Sequence, residues 1–167
     1  MSDARSAKRR STTPRPEHDA WRSRGFLLRL ANMRWEREVS AVLRPLGLTY
    51  IQFALLGGVW WLESHGVRPS QRELSDHTAI SPMLTSQVTR SLEKAGLVKR
   101  TTDPTDTRIR RLALTAAGRT TAERAIQAVD TTEARFFASL AIDDEIIPVL
   151  QKIAGVHESG QPSTPSP

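Results

Sequence analysis

The chain has no cysteine. That absence removes disulfides, thiolate metal sites and cysteine redox sensing together. No apolar run approaches the ~18 residues that a membrane-spanning helix needs. The first stretch, MSDARSAKRRSTTPRP, is basic but has no apolar segment behind it, so it lacks the form of a secretory signal. No phosphate-binding glycine loop, GxSxG, HExxH or cysteine nucleophile occurs, which leaves enzyme chemistry without a starting motif. The four histidines, His18, His65, His77 and His157, are scattered and build no metal site from sequence neighbours. The expectation is therefore a cytoplasmic protein that is not an enzyme, with no cofactor and no metal.

What is present fits one globular domain of ordinary size. Apolar residues make up 38% and charged residues 25% of 167, enough for a real core. The net charge is +6. Such an excess suits a polyanion, usually nucleic acid, but serves solubility equally well. Where the charges sit must decide between the two.

The organisation is tails around a helical body. Residues 1–17, rich in Ser, Thr, Arg and Pro, are expected to be a disordered basic arm, and residues 158–167 a disordered tail. Residues 18–47 carry a long amphipathic helix from about His18 to Leu43, with Leu27, Ala31, Trp35, Val39 and Val42 on one face. Pro45 and Gly47 end it. A helix of this length at the start of a small domain suits packing either against a partner chain or within its own.

Residues 48–115 hold four elements. Thr49 and Gln52 form a capping box that opens a second helix, with Leu48 and Phe53 as its staple. Gly57 and Gly58 weaken that helix, unless they let another helix approach closely. Ser70 and Glu73 form a second capping box, opening a short helix that ends near Ala79. Ser81 and Pro82 begin the next as N-cap and first-turn proline, and Gly96 ends it. The pair makes a helix-turn-helix candidate. On a helical wheel Leu84, Val88, Leu92 and Ala95, with Ser91 among them, face inward. Met83, Ser86, Gln87, Arg90 and Lys94 face outward, with Thr85 at their flank. Gln suits an adenine edge and Arg a guanine edge. The candidate base-reading set is Ser81, Met83, Thr85, Ser86, Gln87 and Arg90. Glu93, on the same face, argues against entry of the C-terminal end into a groove.

The stretch LVKRTTDPTDTRIRRLALT then reads as a hairpin around a Pro-containing turn. Leu112 and Leu114 share one face of its second strand, and Arg111 and Ala113 the other. A hairpin directly after a recognition helix is a wing. Its tip would lie at the adjacent minor groove, where a narrow groove favours inserted Arg. Arg108 is assigned to that groove and Arg100, Arg110 and Arg111 to the phosphates. Asp106 is assigned to holding a neighbouring Arg.

Asp106-Thr107-Arg108 followed by Leu114-Thr115, with AGLV upstream and Ala116-Ala117-Gly118 downstream, resembles the wing signature of MarR-type winged-helix regulators. LTYIQFALL resembles that family's second helix, and RSLEKAGLVKR the end of its recognition helix. The resemblance spans roughly residues 20–155. It implies a mainly α fold with a small β-hairpin wing, a winged helix-turn-helix carried between long N- and C-terminal dimerisation helices. It also implies a homodimer astride a pseudo-palindromic double-stranded DNA operator, repressing transcription, and released by a small aromatic or phenolic ligand. Residues 116–157 supply the C-terminal dimerisation helices. Thr115 caps the first of them, which runs to about Leu140 with Ala122, Ile126, Val129 and Phe136 or Phe137 on one side. Pro148 should kink the last helix or shift its start.

Trp35, Trp60, Trp61 and His65 are the candidate effector contacts, with Arg34 or His65 as the partner of an acidic group. Burial in a core or an interface accounts for the tryptophans equally simply. His77 beside Asp76 suggests a surface or phosphate contact. The alternative function is a winged-helix protein-interaction module that binds no DNA. It would carry an apolar or acidic recognition face, against which Gln87, Arg90 and Lys94 speak.

Overall fold

The computed structural model describes residues 22–103, 105–142 and 145–156. The two expected disordered tails and residues 18–21 lie outside the described residues. The chain divides into two compact units, Met1–Arg34 and Trp35–Pro167.

Helix α1 spans Arg24–Leu43, so it begins six residues after the expected His18. In the first unit Leu27, Leu28, Ala31 and Met33 are exposed. The expected apolar stripe is therefore not covered at Leu27 and Ala31. In the second unit the stripe is real: Val39 and Leu43 are buried and Trp35 packs on the core. A 3-10 turn, Arg44–Leu46, with Pro45 in its first turn and Gly47 at φ +70°, stops the helix as expected.

Helix α2 (Tyr50–Ser64) opens on the full Thr49–Gln52 capping box. Each such cap satisfies two orphan N–H groups and is worth about 1 kcal/mol. Helix α3 (Gln71–Thr78) opens on the Ser70–Glu73 box. Ala79, at φ +52°, turns the chain out of α3. Helix α4 (Pro82–Lys94) starts at Ser81 and Pro82. Gly58 settles its own question: a Cβ there would stand 2.8 Å from Thr78 Cγ2 and 2.9 Å from Leu74 Cδ1. The missing side chain lets α3 lie against α2. Gly57 faces no such neighbour.

Strands β1 (Val98–Thr102) and β2 (Arg110–Leu114) pair antiparallel, Val98 opposite Leu114 and Thr102 opposite Arg110. The segment before α3 joins the sheet edge. The Leu112 N–H donates to the Pro69 carbonyl at 2.7 Å, and Ser70 bridges Arg111. Helix α5 (Ala116–Ala138) opens on Thr115, whose hydroxyl also donates to the Gly96 carbonyl at 2.6 Å. A Cβ on Gly118 would overlap the Leu97 carbonyl, so only glycine lets α5 start against the strand. Its buried stripe is Gly118, Ala122, Ala125, Val129 and Thr132; Ile126 is only half-buried. Pro148 is the third residue of α6 (Ile146–Ala154). Its missing N–H falls in the first turn, where no helical acceptor exists, so it shifts the start instead of kinking the helix.

Leu55, Leu56 and Val59 of α2, Leu74 of α3, Leu92 of α4, Leu112 of β2 and Ala125 of α5 converge on one core. The arrangement is a winged helix-turn-helix. No single helix among the described residues is long and apolar enough to cross a membrane.

Candidate nucleic-acid interface

Two elements of the second unit carry the candidate residues, and short links hold them together. The chain leaves α4 through Gly96, at φ +71°, and enters β1 with Leu97 N–H donating to the Leu92 carbonyl at 3.0 Å. Arg100 of β1 ion-pairs with Glu93 of α4 at 3.2 Å. Helix and hairpin are therefore joined by backbone and by charge.

On α4 the outward stripe is open. Ser81, Met83, Gln87, Arg90 and Lys94 are exposed and Ser86 is half-buried. Arg90 and Lys94 make no ion pair among the described residues. Thr85 does not belong with them, and its expected place is corrected. It is fully buried, with its hydroxyl donating to the Ile80 carbonyl at 3.2 Å. Thr89 is buried one turn later and donates to the Thr85 carbonyl. The inward face is thus Thr85, Val88, Thr89 and Leu92, rotated from the expected one, and Ala95 is exposed. A buried threonine whose hydroxyl bonds to a nearby carbonyl packs much like valine, so the polar letter misleads. Ser91 accepts a hydrogen bond from the Gln52 side chain at 3.2 Å.

The hairpin sorts its arginines into two kinds. Arg108 is exposed at the tip and Arg110 is exposed on β2, bonded to the Thr102 hydroxyl opposite. Arg111 is bound within the protein, contrary to expectation. Its Nε donates to Asp103 Oδ2 at 2.6 Å, and its Nη1 donates to Glu73 Oε2 at 2.6 Å and to the Arg68 carbonyl at 3.2 Å. Arg100 is likewise held, by Glu93, and only half-buried. Among the described residues Asp106 grips no side chain either. Its carboxylate accepts the Arg108 backbone N–H at 2.9 Å and shapes the turn.

Within the turn, the carboxylate that holds an arginine is that of Asp103, a residue without an expected role. It is buried and accepts from the Thr105 hydroxyl and N–H, the Asp106 N–H and Arg111. Those donors, Thr105 first and Arg111 next, hold its carboxyl well below the usual carboxylate range. The signal was available: Asp followed two residues later by Thr after a proline is an Asx-type turn. Glu73 has two roles, capping α3 through Ser70 and binding Arg111. Burial pushes its pKa up, but the Ser70 and Arg111 hydrogen bonds outweigh that and hold it lowered.

The aromatic candidates fall into separate groups. Trp35 meets Phe136 edge-on at 5.5 Å and lies 6.2 Å from Phe137. Trp60 is half-buried against the core. Trp61 stacks on His65 of its own helix at 4.0 Å and on His77 of α3 at 4.7 Å. His77 is therefore part of the α2–α3 packing, in place of the expected surface or phosphate contact. Burial, and then the neighbouring His65, hold its pKa down. An apolar groove of about 250 Å³ runs between the end of α5 and α6, lined by Phe137, Ile142, Ile146 and Leu150 among others. Among the described residues no three His, Asp or Glu side chains gather where they could hold a metal ion.

Comparison with known proteins agrees with this geometry. Residues 48–109 match the sequence profile of the MarR family. The chain is 33% identical to the HTH-type transcriptional regulator YdcH of Bacillus subtilis over 131 residues, 78% of this chain and 89% of that protein. It is 38% identical to the HTH-type transcriptional repressor Rv2887 of Mycobacterium tuberculosis over 116 residues, 70% of this chain and 81% of the repressor. The crystal structure of Rv2887 with salicylic acid superposes with a TM-score of 0.57 at 33% identity, covering 78% of this chain and 93% of that one. The transcriptional repressor CouR bound to a 23-mer DNA duplex superposes with a TM-score of 0.71 at 30% identity, covering 79% and 92%.

Proposed function

This chain belongs to the MarR family, and from that premise we propose that it is a homodimeric, sequence-specific DNA-binding transcriptional repressor released by a small aromatic or phenolic ligand. The observation that carries the reading is the division of the basic side chains. Arg90, Lys94 and Arg108 stand exposed on two elements joined to each other, while Arg111 is internally paired. A solvated face would need no such joint. In this reading α4 enters the major groove, with Ser86, Gln87 and Arg90 at base edges and Ser81 at its N-terminal end. Arg108 enters the flanking minor groove, and Arg110 lies near the phosphates.

CouR as solved on duplex DNA supports the DNA arm of the proposal, and Rv2887 as solved with salicylic acid supports the ligand arm. The dimer is supported by apolar side chains left uncovered on two elements: Leu27 and Leu28 on α1, and Ile147, Val149 and Ile153 on α6. We assign residues 18–47 and 116–157 to dimerisation and 48–115 to DNA binding. A ligand releases the operator only so far as it binds the released arrangement more tightly. The chain acts as a cytoplasmic regulator with no catalytic step of its own.

The test is selection of bound duplexes from a random pool, followed by titration at several salt concentrations. The expected result is a pseudo-palindrome with half-sites about one helical turn apart, bound with an affinity that falls steeply with salt. Recovery of no enriched sequence, with no salt-sensitive binding to any duplex, would overturn the reading and favour a protein-interaction module.

A further inference from the structure

Met83 is the most exposed large apolar side chain among the described residues, at 80%. It is the second residue of α4, directly after Pro82. Met83, Gln87, Arg90 and Lys94 recur at i, i+4, i+7 and i+11, which places them within about 60° of one another on the helix surface. One apolar group therefore heads a stripe whose other members are hydrogen-bonders and cations. One exposed apolar side chain is ordinary on a protein surface; what sets Met83 apart is its place in the first turn of the helix that the DNA-binding reading turns toward the groove. Among the four bases, the major-groove edges offer one apolar group, the C5-methyl of thymine. The first turn of a recognition helix is the part that comes closest to base edges.

We propose that Met83 is a specificity-determining residue that reads a thymine methyl group in each half-site. The inference rests on the DNA-binding reading given above. Methionine suits the task because its flexible thioether chain closes over a methyl group without demanding one fixed geometry. Contact with one methyl is worth about a fourfold change in affinity per half-site.

The experiment uses the full chain and the duplex recovered by selection. Each symmetry-related pair of thymines is replaced in turn by deoxyuridine, which removes the methyl and leaves every Watson–Crick and major-groove hydrogen-bonding atom in place. The wild-type protein should lose roughly sixteenfold at one pair, two half-sites at about fourfold each. Met83→Ala should lose a similar factor on the parent duplex and nothing further at that deoxyuridine pair. Met83→Leu, which keeps an apolar tip, should retain the preference. Wild-type binding that ignores every replacement would overturn the inference, as would losses that multiply when the variant meets the substituted duplex. In either case the DNA-binding reading stands, because the parent duplex is still bound. Failure of the wild type to bind any duplex would sink that reading, and this inference with it.

Discussion

Adjacent glycines on α2 should respond to alanine with opposite signs. An interior helical glycine costs about 0.5–1 kcal/mol relative to alanine. Among the described residues, nothing beyond the local backbone of its own helix lies within 4 Å of where the Gly57 Cβ would be. Gly57→Ala should therefore stabilise the protein by about 0.5–1 kcal/mol. Gly58→Ala gains the same backbone term but drives a methyl group against Thr78 Cγ2 at 2.8 Å and Leu74 Cδ1 at 2.9 Å. Ordinary carbon contacts lie near 3.5–4.0 Å, so those groups must retreat by roughly 0.6–1.2 Å. Both sit in α3, where Thr78 is already tied to the Leu74 carbonyl at 2.8 Å and Leu74 is buried in the core. Overpacking of this kind costs about 1–3 kcal/mol. The two variants should then differ by about 1–3 kcal/mol in total, or roughly 2–12 °C in Tm for a chain of this size. Thermal unfolding at one fixed chain concentration measures the gap, since a dimer's Tm moves with concentration. Equal stabilisation of the two variants would refute the close approach of α3 to α2. The displaced α3 should also weaken DNA binding, which Gly57→Ala leaves alone.

Arg108→Ala should leave Tm unchanged, weaken binding to specific and random DNA alike, and lower the salt slope by about 1 per subunit. Gln87→Ala should instead relax selection at one base position, at a cost of about 1–3 kcal/mol on the selected duplex only. Equal losses on both DNAs for both variants would contradict that division. Arg111→Ala should lower Tm clearly, because it leaves the buried Asp103 carboxylate without its cation and Glu73 without its ion-pair partner; a variant as stable as Arg108→Ala would contradict the internal role. The folded-state pKa of His77 lies below the ordinary 6.5. The unfolded chain takes up that proton first as the pH falls. Stability linked to His77 is therefore full above about pH 6.5 and declines as the pH drops toward the folded value. His77→Gln should flatten the decline in the urea midpoint between pH 7.5 and 5.5; an unchanged slope would show that burial and the neighbouring His65 do not hold the group down.

What the sequence determined by itself was whatever chemistry closes within a few residues. The caps at Thr49, Ser70, Ser81 and Thr115 and the stops at Gly47 and Gly96 each form a ring of hydrogen bonds or a single backbone angle inside one turn. Such features need no distant partner, so residue identity is enough, and the hairpin's two apolar runs about a turn are legible for the same reason. Only the tertiary structure decided which way a side chain on the boundary of a face would turn. Thr85 lies at the flank of the outward stripe, and a small rotation of α4 about its axis buries it. Arg111 and Arg108 are the same letter in the same hairpin, yet Glu73, 38 residues away, lies within reach of only one of them. His77 looked like a surface group until α3 brought it onto Trp61. For Arg111 and His77 the partner is remote along the chain, and for Thr85 it is the seating of α4 on the core that decides; each depends on how closely two elements pack, which at Gly58 is a matter of a single methyl group.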